Sequence, residues 1–150
     1  MTPTPGAYPR GMRVERQRVV HGEYPDDVAE LRRDCFPPWY CRGRHRGTVL
    51  YRAVSGRDLV GYLIVQVEGT VAYVEEVAVR PKSRRCGVAR SLVARAAADL
   101  VGVVERVMVF PMTGTGHESR RAVFEALGFR AEPAHDNLLA ASPLELVPPD

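Results

Sequence analysis

Val77-Ala78-Val79-Arg80-Pro81-Lys82-Ser83-Arg84-Arg85-Cys86-Gly87-Val88-Ala89 begins as an apolar run, breaks into a basic loop containing one glycine, and opens at once into a helix. The helix is expected from about Gly87 to Leu100, because Val88, Leu92, Val93, Ala96 and Ala97 recur on one helical stripe. Its first backbone N–H groups have no partner inside the helix, and the helix dipole makes that end positive. Lys82, Arg84 and Arg85 add formal charge there. Gly87 and Ala89 carry little bulk, so a polyanion such as a pyrophosphate can approach the backbone itself.

The strand before this bend, Val71 to Val79, alternates between faces. Simple alternation puts Tyr73, Glu75, Val77 and Val79 on one face and Ala72, Val74, Glu76 and Ala78 on the other. Two adjacent carboxylates are therefore expected to point opposite ways.

Arg84-x-x-Gly87-x-Ala89 after Val-Ala-Val resembles the acyl-CoA signature of the GCN5-related N-acetyltransferase (GNAT) family, Arg/Gln-x-x-Gly-x-Gly/Ala. Downstream, Ala122-Val123-Phe124-Glu125-Ala126-Leu127-Gly128-Phe129 is similar to that family's closing helix and Leu-Gly-Phe turn. Roughly the C-terminal half of the chain carries the likeness. It implies an α/β (α+β) domain with a mixed, mostly antiparallel sheet of about six or seven strands and about three or four flanking helices. It also implies acetyl-CoA as co-substrate, no metal, and an amine acceptor that is a small molecule or a protein. Backbone groups of Val77 and Val79 would pair with the pantetheine arm as a neighbouring strand does. The amides of Arg84, Arg85, Cys86, Gly87, Val88 and Ala89 would hold the pyrophosphate, and a donor near Val77 would polarise the thioester carbonyl. An amine must lose a proton to attack, and by the resemblance Glu75 is the first choice of base and Glu76 the second. Both carboxylates can equally be strand-end charges paired with arginine.

The chain departs from the family at one point. Four residues before Gly128, where many members carry a tyrosine that protonates the leaving thiolate, stands Phe124. His117, Tyr73 or water is left as the proton donor, His117 because its charge changes near neutral pH. A catalytically weak or inactive acyl-CoA-binding regulatory module is the alternative reading.

Composition bounds the rest. A chain of 150 residues is most simply one domain, assigned to residues 12–150 after a loose, proline-rich arm over residues 1–11. Cys35, Cys41 and Cys86 form no Cys-x-x-Cys pair and leave an odd thiol, which suits a reducing, cytoplasmic compartment. No apolar run approaches a bilayer span, so no membrane partner is expected. The net charge of +3 comes almost wholly from arginine. Arg42-Gly43-Arg44-His45-Arg46 has no interleaved aromatics to stack bases, so nucleic acid is not favoured as a partner. A homodimer is compatible with these residues.

In chain order, Met12 to Val20 reads as a strand and residues 25–35 as a helix with Pro25 in its first turn and Val28, Leu31 and Cys35 at helical spacing. Phe36-Pro37-Pro38-Trp39-Tyr40 cannot continue it. With Cys35 this stretch is similar to the Phe-Pro-x-Pro-Trp segment of ribosomal-protein N-terminal acetyltransferases. Thr48 to Val54 and Leu59 to Val67 read as a hairpin across Ser55-Gly56-Arg57-Asp58, and Glu68-Gly69 leads into the third strand. Glu105 to Phe110 is a short strand, Glu118 to Leu127 a helix capped by Gly128, and Phe129-Arg130 with Leu138 to Ala140 a last strand pair. Gly114-Thr115-Gly116 lacks the rest of a phosphate-loop pattern, and no His, Cys and carboxylate spacing makes a closed metal site.

Overall fold

The computed structural model describes residues 11–20, 23–38, 49–111, 117–135 and 137–148, with backbone only for residues 117–120. The expected arm before Gly11, Trp39, Cys41, the run from Arg42 to Arg46 and Gly114-Thr115-Gly116 lie outside the described residues. Seven strands form one sheet: β1 (Met12–Arg18), β2 (Val49–Ser55), β3 (Asp58–Glu68), β4 (Val71–Val79), β5 (Arg106–Val109), β6 (Arg130–Ala131) and β7 (Leu139–Ala141). The described helices are α1 (Asp26–Cys35), α2 (Val88–Leu100), α3 (His117–Leu127) and α4 (Pro143–Leu146), with a 3-10 turn over Pro81–Ser83.

The spatial order is β1-β2-β3-β4-β5-β7-β6, antiparallel throughout except for the parallel pair β4 and β5. Two tight turns build the meander. Gly56 (φ 62°) and Gly69 (φ 60°) supply the left-handed residues that the β2–β3 and β3–β4 connections require. β3 is buried from Leu59 to Val65, as expected of a central strand covered on both faces.

The two faces carry separate cores. On one, Leu63, Val65, Val74, Val107, Val109 and Leu139 meet the α2 stripe Val88, Leu92, Val93, Ala96, Ala97 and Leu100, together with Phe124, Phe129 and Leu146. On the other, Leu50, Tyr62, Ile64 and Ala78 meet Val28, Leu31 and Phe36 at α1. Each buried large aliphatic side chain contributes about 1.5–3 kcal/mol relative to exposure. α1 begins one residue later than its sequence pattern suggests. Pro25 sits at the cap (φ −52°, ψ 150°), outside the first turn.

β4 corrects the simple alternation. Val74 pairs with Val65 and Glu76 with Ile64, so Glu75 is an extra residue in a β-bulge. The bulge shifts the pattern by one. Val74 now shares the α2 face with Val77 and Val79, whereas Tyr73, paired with Gln66, shares the α1 face with Glu76 and Ala78.

Candidate active site

β4 and β5 are paired only from Val71–Arg106 to Val74–Val109, and there they part. Glu75 is thus the first residue beyond the fork on one strand and Phe110 the first on the other. Arg80 N–H donates to the Val60 carbonyl at 2.8 Å, which aims the peptide groups of Ala78 and Arg80 toward β3. By the alternation of an antiparallel ladder, the N–H and C=O groups of Val77 and Val79 face the open edge of β4.

The bend after β4 is pinned before it turns. Besides its amide bond, Arg80 donates through Nε to the Leu59 carbonyl at 2.5 Å. Ser83 is buried. Arg85 (φ 62°) and Gly87 (φ 82°) are both left-handed and bracket Cys86, a geometry that turns successive N–H groups to one side. Gly87 is the N-cap of α2 and supplies no side-chain cap. The first intrahelical bond runs from Ser91 N–H to the Gly87 carbonyl at 3.0 Å, so the amides of Val88, Ala89 and Arg90 lie ahead of the ladder. The helix starts at Val88, one residue after the expected Gly87.

Gly61 holds this helix end close to the sheet. A Cβ there would stand 2.9 Å from the Ala78 carbonyl oxygen and 3.0 Å from Val88 Cγ1. A glycine in mid-strand is the sequence signal for such an approach.

Arg84 is placed differently from a free anion ligand. Its Nε donates to the Val79 carbonyl at 3.0 Å and its terminal nitrogen lies 3.8 Å from Cys35 Sγ, so the side chain braces the bend against β4 and α1. Burial pushes the Cys35 thiol up, and Arg84 opposes that shift. Cys86 Sγ rests 3.4 Å from the Arg84 carbonyl, a packing position.

A cleft of about 810 Å³ runs between these parts. Its walls include Glu75, Val77 and Val79 from β4, the bend from Arg84 to Ala89, Phe110 at the end of β5, and Val123, Phe124 and Leu127 from α3. Of the candidate residues with described side chains, all but Tyr73 line this cleft, and Glu76 does so with its carboxylate committed elsewhere. Tyr73 is turned to the α1 face by the bulge and is absent from the cleft wall, which removes the geometry that favoured it as proton donor. Glu76 reaches the cleft but is 4% exposed, and its carboxylate accepts from Arg32 Nε at 3.0 and 3.2 Å and from the Tyr62 hydroxyl. Burial and the adjacent Glu76 carboxylate hold the Tyr62 phenol far above its usual range. The ring of Tyr24 lies 5.7 Å from the Arg32 guanidinium, and burial raises its phenol to about 12. Pairing of Glu76 with an arginine was one of the expected readings, but Arg32 as the partner, 44 positions away, was not legible in the sequence.

His117 opens α3, and its side chain is outside the described residues. Phe124 is buried and stands edge-on to Phe129 at 5.7 Å. The Gly128 N–H donates to Glu125 O and the Phe129 N–H to Phe124 O, the paired bonds of a Schellman cap. Among the described residues, no group of three His, Cys, Asp or Glu side chains converges as metal ligands, and no helix is long and apolar enough to cross a membrane.

The forked sheet and the basic bend at the start of α2 thus meet at one cleft. The family model for the acetyltransferase (GNAT) family matches residues 13–129, most of the chain, and the chain belongs to that family. Solved structures agree in fold. A GNAT-family protein from Desulfovibrio desulfuricans superposes with a TM-score of 0.68 at 18% identity, covering 88% of this chain and 99% of that one. YhhK from Escherichia coli, solved bound to coenzyme A, gives 0.65 at 18% identity over 87% and 98%. The ribosomal-protein-S18-alanine N-acetyltransferase from Escherichia coli gives 0.61 at 17% identity over 87% and 94%. No curated protein matches the sequence significantly.

Proposed function

We propose that the protein transfers an acetyl group from acetyl-CoA to a primary amine, of a small molecule or a protein, by direct attack in a ternary complex. The observation that supports this reading most is that Glu75, the bulge residue at the fork, lines the same cleft as the bend at Arg84 to Ala89. Amides of the bend hold the coenzyme's diphosphate, and Arg85 and Lys82 supply positive charge nearby. The outward peptide groups of Val77 and the N–H of Val79 bind the pantetheine amides in the manner of an added strand, the Val79 carbonyl being taken by Arg84. Glu75, directly or through a water, takes the proton of the incoming ammonium, and a backbone donor near Val77 stabilises the charge that grows on the carbonyl oxygen. Glu76, committed to Arg32 and Tyr62, fixes the strand after the bulge. His117 or water returns the proton to the thiolate.

Coenzyme A bound to a protein of this fold supports the coenzyme assignment. That another protein of this fold is a ribosomal-protein-S18-alanine N-acetyltransferase supports an amine acceptor. Glu75→Gln is expected to lower kcat by about 10²–10⁴ with acetyl-CoA affinity unchanged. Full activity of that variant across neutral pH would remove Glu75 from the mechanism. Phe124 favours a second reading, because a buried phenyl ring donates no proton. Coenzyme binding without turnover of any amine would select the non-catalytic module.

A further inference from the structure

Resting on the coenzyme assignment, we infer that Arg84 is a positioning residue: the N–H that its side chain donates, and not its charge, holds the bend in the shape that presents the amides after it to the diphosphate. The amide, the carbonyl and the side chain of Arg84 are each engaged within the fold. Its backbone N–H donates to the Pro81 carbonyl at 3.3 Å and closes the 3-10 turn, and its carbonyl accepts from the Cys86 thiol at 3.4 Å. Its Nε donates to the Val79 carbonyl at 3.0 Å, and its terminal nitrogen reaches Cys35 Sγ at 3.8 Å.

The bond to Val79 ties Arg84 back to the last residue of β4. With Arg80 already bonded to Val60 and Leu59, it closes the loop from Arg80 to Arg84 into a ring whose base is the sheet. Arg84 is exposed, so what it contributes is direction rather than burial.

The backbone that follows needs such a fixed point. Among the described residues, Arg85 (φ 62°) is the one residue other than glycine with positive φ. A residue with a Cβ adopts that conformation at a cost and keeps it only where its surroundings over-determine it. Downstream, the fixed point is Val88, buried at the start of α2 against Gly61. Upstream, it is Arg84. Held between the two, Arg85 to Gly87 keep their N–H groups turned to one side. Released at Arg84, Arg85 relaxes to negative φ and the amides scatter.

Charge and hydrogen bond are separable by substitution. Glutamine carries an uncharged amide nitrogen after Cδ, at the place of arginine's Nε, whereas lysine keeps the charge with its nitrogen further out.

The test is calorimetric titration of coenzyme A, at low and high salt, into the wild type, Arg84→Gln, Arg84→Lys and Arg84→Met, with melting temperatures. Alongside it, the rate of Cys86 alkylation by iodoacetamide is followed by peptide mass spectrometry in the coenzyme-free proteins. Arg84→Gln is expected to bind within about threefold of the wild type and Arg84→Met about tenfold or more weaker, in a ratio that salt does not change. Cys86 is expected to react faster in Arg84→Met than in the wild type or Arg84→Gln. Affinity kept by Arg84→Lys but lost by Arg84→Gln, with a loss that shrinks as salt rises, makes Arg84 a charge on the diphosphate and overturns the inference. Equal affinity in all four proteins also overturns it. No coenzyme binding by any of them contradicts the coenzyme assignment itself, and alkylation then decides on Arg84: a faster rate in Arg84→Met than in Arg84→Gln supports the brace, and equal rates overturn it.

Discussion

At the scale of single residues, several positions are decided by space that only the fold creates. Gly128 has φ 118°, and a Cβ there would stand 3.0 Å from the Glu145 carbonyl oxygen, so it joins the cap of α3 to α4. Gly128→Ala is expected to cost about 1–3 kcal/mol in urea unfolding, with coenzyme affinity altered less than stability. A change under about 0.5 kcal/mol would show that the backbone there relaxes freely. The glycine was legible from the Leu-Gly-Phe turn, but its second role was not, because α4 has no signal beyond a capping box in Ser142-Pro143-Leu144-Glu145. Glu75 was legible as the candidate base although the reasoning that placed it was incomplete. Alternation alone would set Tyr73 beside it, and the bulge that separates them depends on the β3 register rather than on any property of Val71 to Val79.

Among elements, periodicity carried most of the information. The α2 stripe, the glycine turns of the meander and the helix before Gly128 are local patterns, and each formed close to its expected bounds. What joins α1 to β4 is not local. Arg32 and Glu76 have side chains 7% and 1% exposed, and a buried pair of this kind has no periodic signature. Removing one partner leaves the other charge buried. Arg32→Met is therefore expected to cost about 3–5 kcal/mol by urea denaturation, and adding Glu76→Leu should restore most of it. A loss below about 1 kcal/mol for Arg32→Met would mean that water reaches Glu76 in place of the guanidinium.

Across the whole molecule, the sheet divides the chain into two cores, and both bury tyrosines with acidic neighbours. Burial first, then Asp99, raises the Tyr51 phenol to about 12, and its hydroxyl donates to Asp99 at 3.0 Å. Tyr24 is also raised to about 12. The unfolded chain releases these protons near 10.0, while the folded chain keeps them to about 12. Stability from these groups is thus fully present below pH 10.0 and declines as pH rises toward about 12, because the unfolded state then binds fewer protons. Phenolate absorbance from Tyr24 and Tyr51 should appear only near pH 12, together with loss of structure. A single transition of all tyrosines near their ordinary value in the folded protein would contradict the burial described.

The same molecule-wide arrangement brings a forked sheet against the start of α2, and the proposed function depends on that junction gripping a coenzyme. Calorimetric titration of coenzyme A into the wild type and Gly87→Glu tests it most directly, with Glu75→Gln as a control for folding and melting temperatures compared for all three. The account predicts binding by the wild type and Glu75→Gln with matched affinity, and loss of at least about tenfold in Gly87→Glu, where a side chain and a negative charge enter the bend. Equal binding by all three proteins, or no binding by the wild type, would contradict it.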